Sequence, residues 1–523
     1  MTRFRPLARL LALFFLSMMA VSDVRAQATV PTDFVDVGIE AGLSLPTSIV
    51  FIPDAAPDRG RRLLFVEQTT GRLRMLVDEN LAAIDPVGTV ANINFSGSER
   101  GLLGVAVDPR WPASPYVYMT YNSNAAGNFL RVSRFALTGD VDLTGDGALT
   151  LDLASRFDLL VDLPDNNFNH NGGTLRFGPD SMLYASFGDD AVSCSALDST
   201  SLRGVILRLE VRTLPDGPGL ADKNALVAAG NPFANRPNIN TRLVVALGFR
   251  NPFRIHVDPV TLELVVGDVG QSTWEEISLL RFGQSGGWPF FEGFAAFTTC
   301  SGRSASGHAQ PITVYDHSVG LSVIGMDVYR APPGAAYAFP AEYDGDILFS
   351  DYYTGFIRRL SWNGSRLLEG VTSSPVMTEW GGGVRQISDA IVGPDGAIWY
   401  CRQSNNFAAN TGQIRAIRYI APPVSVPGSG ALTLRLAAPV PNPSSHAARF
   451  QFSLPTAADV KLELLDLQGR SIRTLASGPH AAGSHAAVWD GTDASGRRVA
   501  AGLYLARLEA DSETRVVRLT LTR

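Results

Sequence analysis

Apolar runs of four to six residues, each ended by a turn built on Pro with Asp or Gly and followed by a second apolar run, recur from residue 49 to residue 401. The pairs are Ile49–Asp54 with Leu63–Val66, Val105–Pro109 with Tyr116–Met119, Leu175–Asp180 with Leu183–Phe187, and Ile255–Pro259 with Leu262–Val266. A degenerate fifth pair joins Val328–Pro333 to Ile347–Ser350, and a sixth joins Ile391–Gly396 to Ile398–Cys401. Pro presets φ and Asp caps its own backbone, so these turns predict hairpins by a mechanism. One hairpin cannot bury both of its faces, whereas radial stacking of such sheets can. Roughly 390 residues over six units predict an all-β fold, a six-bladed β-propeller of four-stranded blades. A pair of β-sandwiches is the competing architecture, but its repeat would be shorter.

Near residue 421 the pattern gives way to Ala421–Gly430, rich in Pro, Gly and Ser, which reads as a linker. Alternating strands then return at Ala448–Leu454, Val460–Leu465, Gly502–Leu508 and Thr514–Thr520, with turns at Asp466–Arg470 and Trp489–Gly496, predicting a small antiparallel sandwich. At the other end, Arg3, Arg5 and Arg9 precede the apolar stretch Leu10–Val21 and the small-residue signal Val24–Ala26, the pattern of an export leader. The expected organisation is a leader over 1–26, a propeller over 27–420, a linker over 421–432 and a sandwich over 433–523.

Composition agrees with many short strands: of 523 residues, 45% are hydrophobic and 18% charged, with 50 Gly and 32 Pro. Loss of the leader removes four Arg and one Asp and takes the formal charge from −6 to −9. An acidic exported chain argues against nucleic acid as a partner, since phosphate binding needs a basic surface. No second apolar segment reaches membrane-spanning length, so the mature chain is expected to be soluble or held at a surface, whether periplasmic, cell-surface or secreted. Asp140–Gly147 has the look of a calcium loop, but the twelfth position of that register is Leu153 in place of Glu, so it reads as a turn.

Chemistry-bearing residues gather at predicted strand ends. Between Gly248 and Pro289 stand Gly-Phe-Arg-Asn-Pro, Gly-Asp-Val-Gly-Gln, the pair Glu275-Glu276 and Gly-Gly-Trp-Pro; His-Asn-Gly-Gly-Thr-Leu-Arg-Phe-Gly-Pro-Asp begins at His170. These blocks resemble the soluble PQQ-dependent glucose/sorbosone dehydrogenase family. The resemblance implies His170 as general base, a task suited to imidazole because it titrates near working pH. It implies Arg250 and Asn251 on the cofactor, with the Arg charge also aiding catalysis, and Glu99, Asn169 and Asp189 close to cofactor, substrate or base. It places Ca²⁺ on the main-chain carbonyls of Gly270 and Gln271, hard oxygen ligands without a residue-type signature. Glu275 and Glu276 either orient that loop or bind metal, or form a solvated acidic pair. An Arg tying adjacent blades together through carbonyls is the structural alternative for Arg250.

Three positions depart from the family pattern. Where tight quinone binders carry two Arg and a Lys, this chain holds Gln386, Ser388 and Tyr353, and Arg385 lies one residue out of register. The cysteines Cys194, Cys300 and Cys401 form no metal-type pair. The family resemblance brings the Cys194 and Cys300 loops to one face, where a disulfide is one reading and three unpaired buried thiols the other. In the C-terminal unit, Pro441-Asn-Pro443, Asp466–Arg470, Gly483, Trp489-Asp-Gly491 and Gly502-Leu-Tyr504 resemble FlgD-like immunoglobulin-type modules that serve as C-terminal sorting domains, which implies recognition by a secretion system.

The expected activity is that of an exported, PQQ- and Ca²⁺-dependent aldose-type dehydrogenase: hydride passes from a sugar to the quinone, and an external electron acceptor follows. Such chemistry requires a cofactor because no side chain accepts hydride. The alternative is a non-catalytic surface propeller that binds carbohydrate or protein. A Ca²⁺-dependent lactonase is a third option, but the chain lacks the acidic cluster it would need along the channel.

Overall fold

A computed structural model describes residues 28–53, 61–124, 129–304, 307–361, 376–420, 433–439, 442–444, 448–489, 491–495 and 497–522. The expected leader over 1–26 and linker over 421–432 lie outside them. The chain divides into two compact units, Met1–Ile420 and Ala421–Arg523.

The first unit is a six-bladed β-propeller. Among the described residues, six sheets, antiparallel except where Gly219–Leu220 pairs in parallel with Leu149–Pro164, have as their innermost strands Pro46–Phe51, Leu102–Val107, Leu175–Phe177, Pro252–Val257, Val323–Val328 and Ile387–Val392. Each begins one of the six predicted units, although in the fifth the strand precedes the Pro turn and ends at Val328. The sixth blade takes its outermost strand from the start of the chain: Phe34–Leu43 pairs with Gly412–Tyr419, Phe34 opposite Tyr419 and Leu43 opposite Gly412. This pairing closes the ring and covers an edge that would otherwise offer free backbone groups to another chain.

Apolar alternation on both faces of each blade packs every sheet against its two neighbours. Six hydrophobic clusters fill the six blade interfaces, for example Val66 and Met75 against Val105 and Phe135 between the first and second blades. Another sets Ile324 and Leu348 against Ile387 and Tyr400 between the fifth and sixth. The innermost strands are polar toward the hub. Asp389 accepts from Arg176 Nη2 (2.5 Å) and Ser48 Oγ (2.9 Å). The guanidinium of Arg254 donates to the carbonyls of Ser388 and Thr47, both at 2.6 Å. Blades one, three, four and six are thereby tied together across the axis, with no buried charge left alone. Asp140, in the loop read as a turn, accepts from the amides of Thr144, Gly145 and Gly147 with its own carboxylate.

The second unit is an immunoglobulin-like β-sandwich. Arg435–Leu436, Ala448–Leu454 and Gly483–Trp489 form one sheet, and Ser471–His480, Ala458–Leu465, Gly502–Ala510 and Glu513–Leu521 form the other. Phe450, Leu462, Trp489, Leu508 and Leu519 meet between them.

Candidate active site

In an antiparallel blade the start of the innermost strand and the end of the second lie at the same end. Glu99, His170 and Arg250-Asn251 precede the innermost strands of blades two, three and four, while Asp189 and Gly270-Gln271 follow the second strands of blades three and four. The topology thus brings to one face residues that stand far apart in the chain.

His170 sits in the left-handed region, φ 62°, which turns its ring out of the strand direction. Nδ1 lies 2.6 Å from Asp189 Oδ1. Asp189 Oδ2 accepts from Trp288 Nε1 (2.9 Å), Oδ1 also accepts from Ala191 N (2.8 Å), and Asp189 N donates to the Arg250 carbonyl (2.8 Å). Three donors converge on this carboxylate, so Nδ1 carries the proton that faces Asp189, and Nε2 is engaged by no described residue. Gly188 permits the approach of the two segments: a Cβ there would stand 2.1 Å from the His170 carbonyl oxygen.

Glu99 stands half-buried beside them. Its Oε2 accepts from Asn171 N (3.2 Å) and Asn251 Nδ2 (3.1 Å), and burial holds its carboxyl above the ordinary range although His170 and Arg250 oppose the shift. Asn251 Oδ1 in turn accepts from Gly172 N at 3.1 Å. Asn169 is half-exposed and makes no side-chain hydrogen bond with the described residues.

Arg250 and Asn251 are held by their backbone amides, which donate to Asp268 Oδ2 (3.0 Å) and Oδ1 (2.7 Å). Burial pushes Asp268 up to about 7. Arg250 Nε donates to Gln271 Oε1 and Nη1 to the Val269 carbonyl, both at 2.9 Å, while Nη2 has no partner among the described residues. The Arg side chain thus braces its own blade's loop, while its carbonyl, through Asp189 N, links the third and fourth blades.

That loop is built around Glu292, which the sequence reading did not single out. Glu292 Oε1 accepts from the amides of Gln271, Ser272, Thr273 and Trp274 at 2.9, 2.7, 2.9 and 3.3 Å, and these bonds outweigh burial and hold its carboxyl below the usual range. The carbonyl oxygens of Gly270 and Gln271 accept no hydrogen bond from the described residues. Gly270 is obligatory, since a Cβ would fall 1.7 Å from the Trp274 carbonyl oxygen. Among the described residues no group of three or more His, Cys, Asp or Glu side chains could hold a metal ion.

The reading of Glu275 and Glu276 as a solvated pair is corrected: both are buried. Glu275 accepts from His317 Nε2 (3.0 Å) and Val323 N (2.9 Å), Glu276 accepts from Gly293 N (2.6 Å), and burial pushes each to about 8. They orient neighbouring loops. Cys194 and Cys300 form a disulfide, with Cα atoms 5.7 Å apart, and Cys401 is a buried free thiol, so the reading of three unpaired thiols fails. Trp288, whose Gly-Gly-Trp-Pro setting was visible but whose role was not, stacks on Phe297 with centroids 5.1 Å apart.

The three departures are held in different ways. Gln386 is buried, and its Oε1 accepts from Ser404 Oγ (2.7 Å) and Phe407 N (3.2 Å). Ser388 Oγ donates to the Pro46 carbonyl at 2.8 Å. Tyr353 stands at the rim, and Arg385 is exposed.

The family model described as Glucose / Sorbosone dehydrogenase matches residues 43–409, and FlgD Ig-like domain matches residues 442–514. Aldose sugar dehydrogenase YliI of Escherichia coli is 23% identical over 369 residues, covering 68% of this chain and 86% of the relative. HIPL2 protein of Arabidopsis thaliana is 32% identical over 203 residues, covering 35% of this chain, which spans only 28% of that relative's length. The PQQ-bound form of aldose sugar dehydrogenase from Streptomyces coelicolor shares the propeller fold at a TM-score of 0.53 and 21% identity, over 74% of this chain and 99% of that one. With the predicted blocks assembled on one face of a six-bladed propeller and the match running through the first blade to the last, the chain belongs to the glucose/sorbosone dehydrogenase family.

Proposed function

We propose that the protein is an exported PQQ- and Ca²⁺-dependent dehydrogenase of aldose-type sugars, with His170 as general base. The His170–Asp189–Trp288 relay carries the reading: a base with its lone pair on Nε2, backed by a carboxylate whose two oxygens are held by other donors. His170 Nε2 takes the proton of the sugar hydroxyl, and Asp189 steadies the imidazolium that results. Glu99 and Asn251, locked to each other and to the backbone of residues 171 and 172, position polar atoms beside the base.

The residues present fit the inner end of a quinone with its metal. Arg250 keeps Nη2 uncommitted and a charge fixed by its bonds to Gln271 and Val269, and the Gly270 and Gln271 carbonyls are unspent hard ligands. Bound there, the quinone would supply the hydride acceptor that side chains cannot. The outer positions Gln386, Ser388 and Tyr353 supply no cations for a tricarboxylate, so affinity is expected to be lower than where three cations stand.

Sugar-dependent dye reduction in the presence of PQQ and Ca²⁺ tests the reading. His170→Ala is expected to lower the rate about 10²- to 10⁴-fold while calorimetric PQQ binding survives. No heat of PQQ binding at any attainable concentration, with Ca²⁺ present, would leave the second reading, a non-catalytic surface propeller, which the missing outer cations favour. The disulfide suits an oxidising compartment and supports export. Delivery by the C-terminal unit is tested by deleting residues 433–523, which is expected to leave inner-membrane export intact and abolish surface display or release.

A further inference from the structure

The segment that carries His170 has no strand ladder to hold it. Between the strand ends Pro164 and Leu175 the chain runs through bends at 166–169, and backbone polar groups outside a sheet need side chains or water as partners. At the start of the segment Asp165, fully buried, accepts from Arg100 Nε (2.8 Å) and from Asn171 Nδ2 (3.2 Å). This ties both ends of the segment to the chain beside Glu99. Its middle is held elsewhere, by Asp190, the residue after the acid that faces His170.

Asp190 commits each of its acceptor atoms to this segment. Oδ1 accepts from the Asn167 amide (2.8 Å), Oδ2 from Asn166 Nδ2 (2.8 Å), and the Asp190 carbonyl from Asn167 Nδ2 (2.6 Å). Arg203 Nη2 donates to Oδ2 at 3.0 Å, and Gly204 N donates to the Gly188 carbonyl at 2.9 Å. The start of the blade's third strand, Val205–Leu209, thereby braces the turn that holds both acids. Asp190 is 1% exposed and has left-handed backbone, φ 54°. An acid persists in that conformation only where its surroundings over-determine it, and such residues gather at functional sites. A carboxylate shut away from water also needs its hydrogen bonds kept, so the clamp resists loosening.

Two adjacent acids divide one task. Asp189 grips the imidazole at Nδ1, 2.6 Å away, and Asp190 grips the backbone and side chains a few residues before it. His170 itself stands in the left-handed region, φ 62°, so a shift of the preceding residues re-aims its ring. We infer that Asp190 is a positioning residue for His170: by anchoring Asn166 and Asn167 it fixes where Nε2 stands. The inference rests on the proposed reading for what His170 does, and on the geometry alone for how the ring is held. A misplacement of about 1 Å at a reacting group costs on the order of 10²-fold in rate, so a clamp outside the reacting atoms is worth that much to the reaction.

Proton NMR of the full chain without PQQ, alongside dye-reduction kinetics with PQQ and Ca²⁺, tests the assignment. The His170 Nδ1 proton, shared with Asp189, resonates downfield and is identified by its loss in His170→Ala. Wild type and Asp190→Asn are expected to retain it, since Asn tolerates left-handed backbone and still accepts from the Asn167 amide. Asp190→Ala is expected to broaden it beyond detection well below the variant's thermal midpoint. Asn167→Ala, which leaves the Asp190–Arg203 pair in place, is expected to do the same. In kinetics Asp190→Ala is expected to lower kcat about 10- to 100-fold with KM within about twofold, and Asp190→Asn to stay within about fivefold of wild type. A retained resonance with unchanged kcat in folded Asp190→Ala, an Asn variant as impaired as the Ala variant, or a loss confined to KM would each overturn the positioning role. Failure of the dehydrogenase reading is separate: if wild type reduces no dye, the resonance alone decides, upholding the clamp where Asp190→Ala loses it and refuting the clamp where it stays.

Discussion

At the scale of single residues, the site depends on what each carboxyl is asked to hold. Asp189 faces His170, the proposed base, and is kept in place by Trp288, so Trp288→Phe preserves the stack on Phe297 while deleting one N–H donor. Loss of a hydrogen bond to a charged group costs roughly 1.5–3 kcal/mol, and we expect kcat/KM to fall about 10- to 100-fold. A less solvated Asp189 favours the imidazolium more strongly, so the acid limb of the pH–rate profile is expected to move to higher pH. An unmoved limb at full activity would show that Trp288 only packs. Glu276 makes the opposite case, a carboxyl raised by burial to about 8. The folded chain then binds a proton that the unfolded chain releases near pH 4.5, so this contribution to stability is complete at low pH and is lost as pH rises through about 8. Glu276→Gln mimics the protonated form and can still accept from Gly293. In chelator, denaturant midpoints are expected to match wild type at pH 5 and exceed it at pH 9.

At the scale of elements, loops at strand ends hold His170, Asp189 and Arg250, and long-range staples tie them down. The loop after Asp189 is joined to that after Trp288 by the Cys194–Cys300 disulfide and by Arg303 Nη2 to Asp198 at 2.6 Å. Removing a disulfide of this kind costs about 2–5 kcal/mol where it constrains the unfolded chain, and here it also frees the loops that follow Asp189 and Trp288. Cys300→Ser is therefore expected to lower the thermal midpoint of the propeller and to lower activity at temperatures where the fold is still intact. Thermal melts and rates measured side by side check this. The Gly270 turn is held differently, by four amides on Glu292 and by lack of space for a Cβ.

At the scale of the whole molecule, two units with separate cores make separate predictions. A chain ending at Ile420 is expected to remain folded, because the blade clusters and the sandwich cluster share no residue. A chain beginning after Leu43 is expected to aggregate, because it strips the outer strand from the last blade and exposes the edge of Gly412–Tyr419. Size-exclusion profiles of the two truncations distinguish these outcomes; a monodisperse product of the second would show that ring closure is dispensable.

The six hairpin units, the C-terminal sandwich and the blocks around His170, Arg250 and Gly270 were legible in the sequence, because strand alternation, Pro-Asp turns and Gly at crowded positions act over windows of a few residues. The sandwich strands Ser471–His480 and Gly483–Trp489 were not, since their exposed faces blur the alternation. Only tertiary structure decided that Phe34–Leu43 completes the last blade, that Trp288 donates to an acid 99 positions earlier, and that Glu292 gathers four amides. It also decided that Glu275 and Glu276 are buried and that Gln386 supports Phe407. Burial and pairing depend on which distant segments the closed ring brings together, and a local pattern of residue types carries no record of that partner.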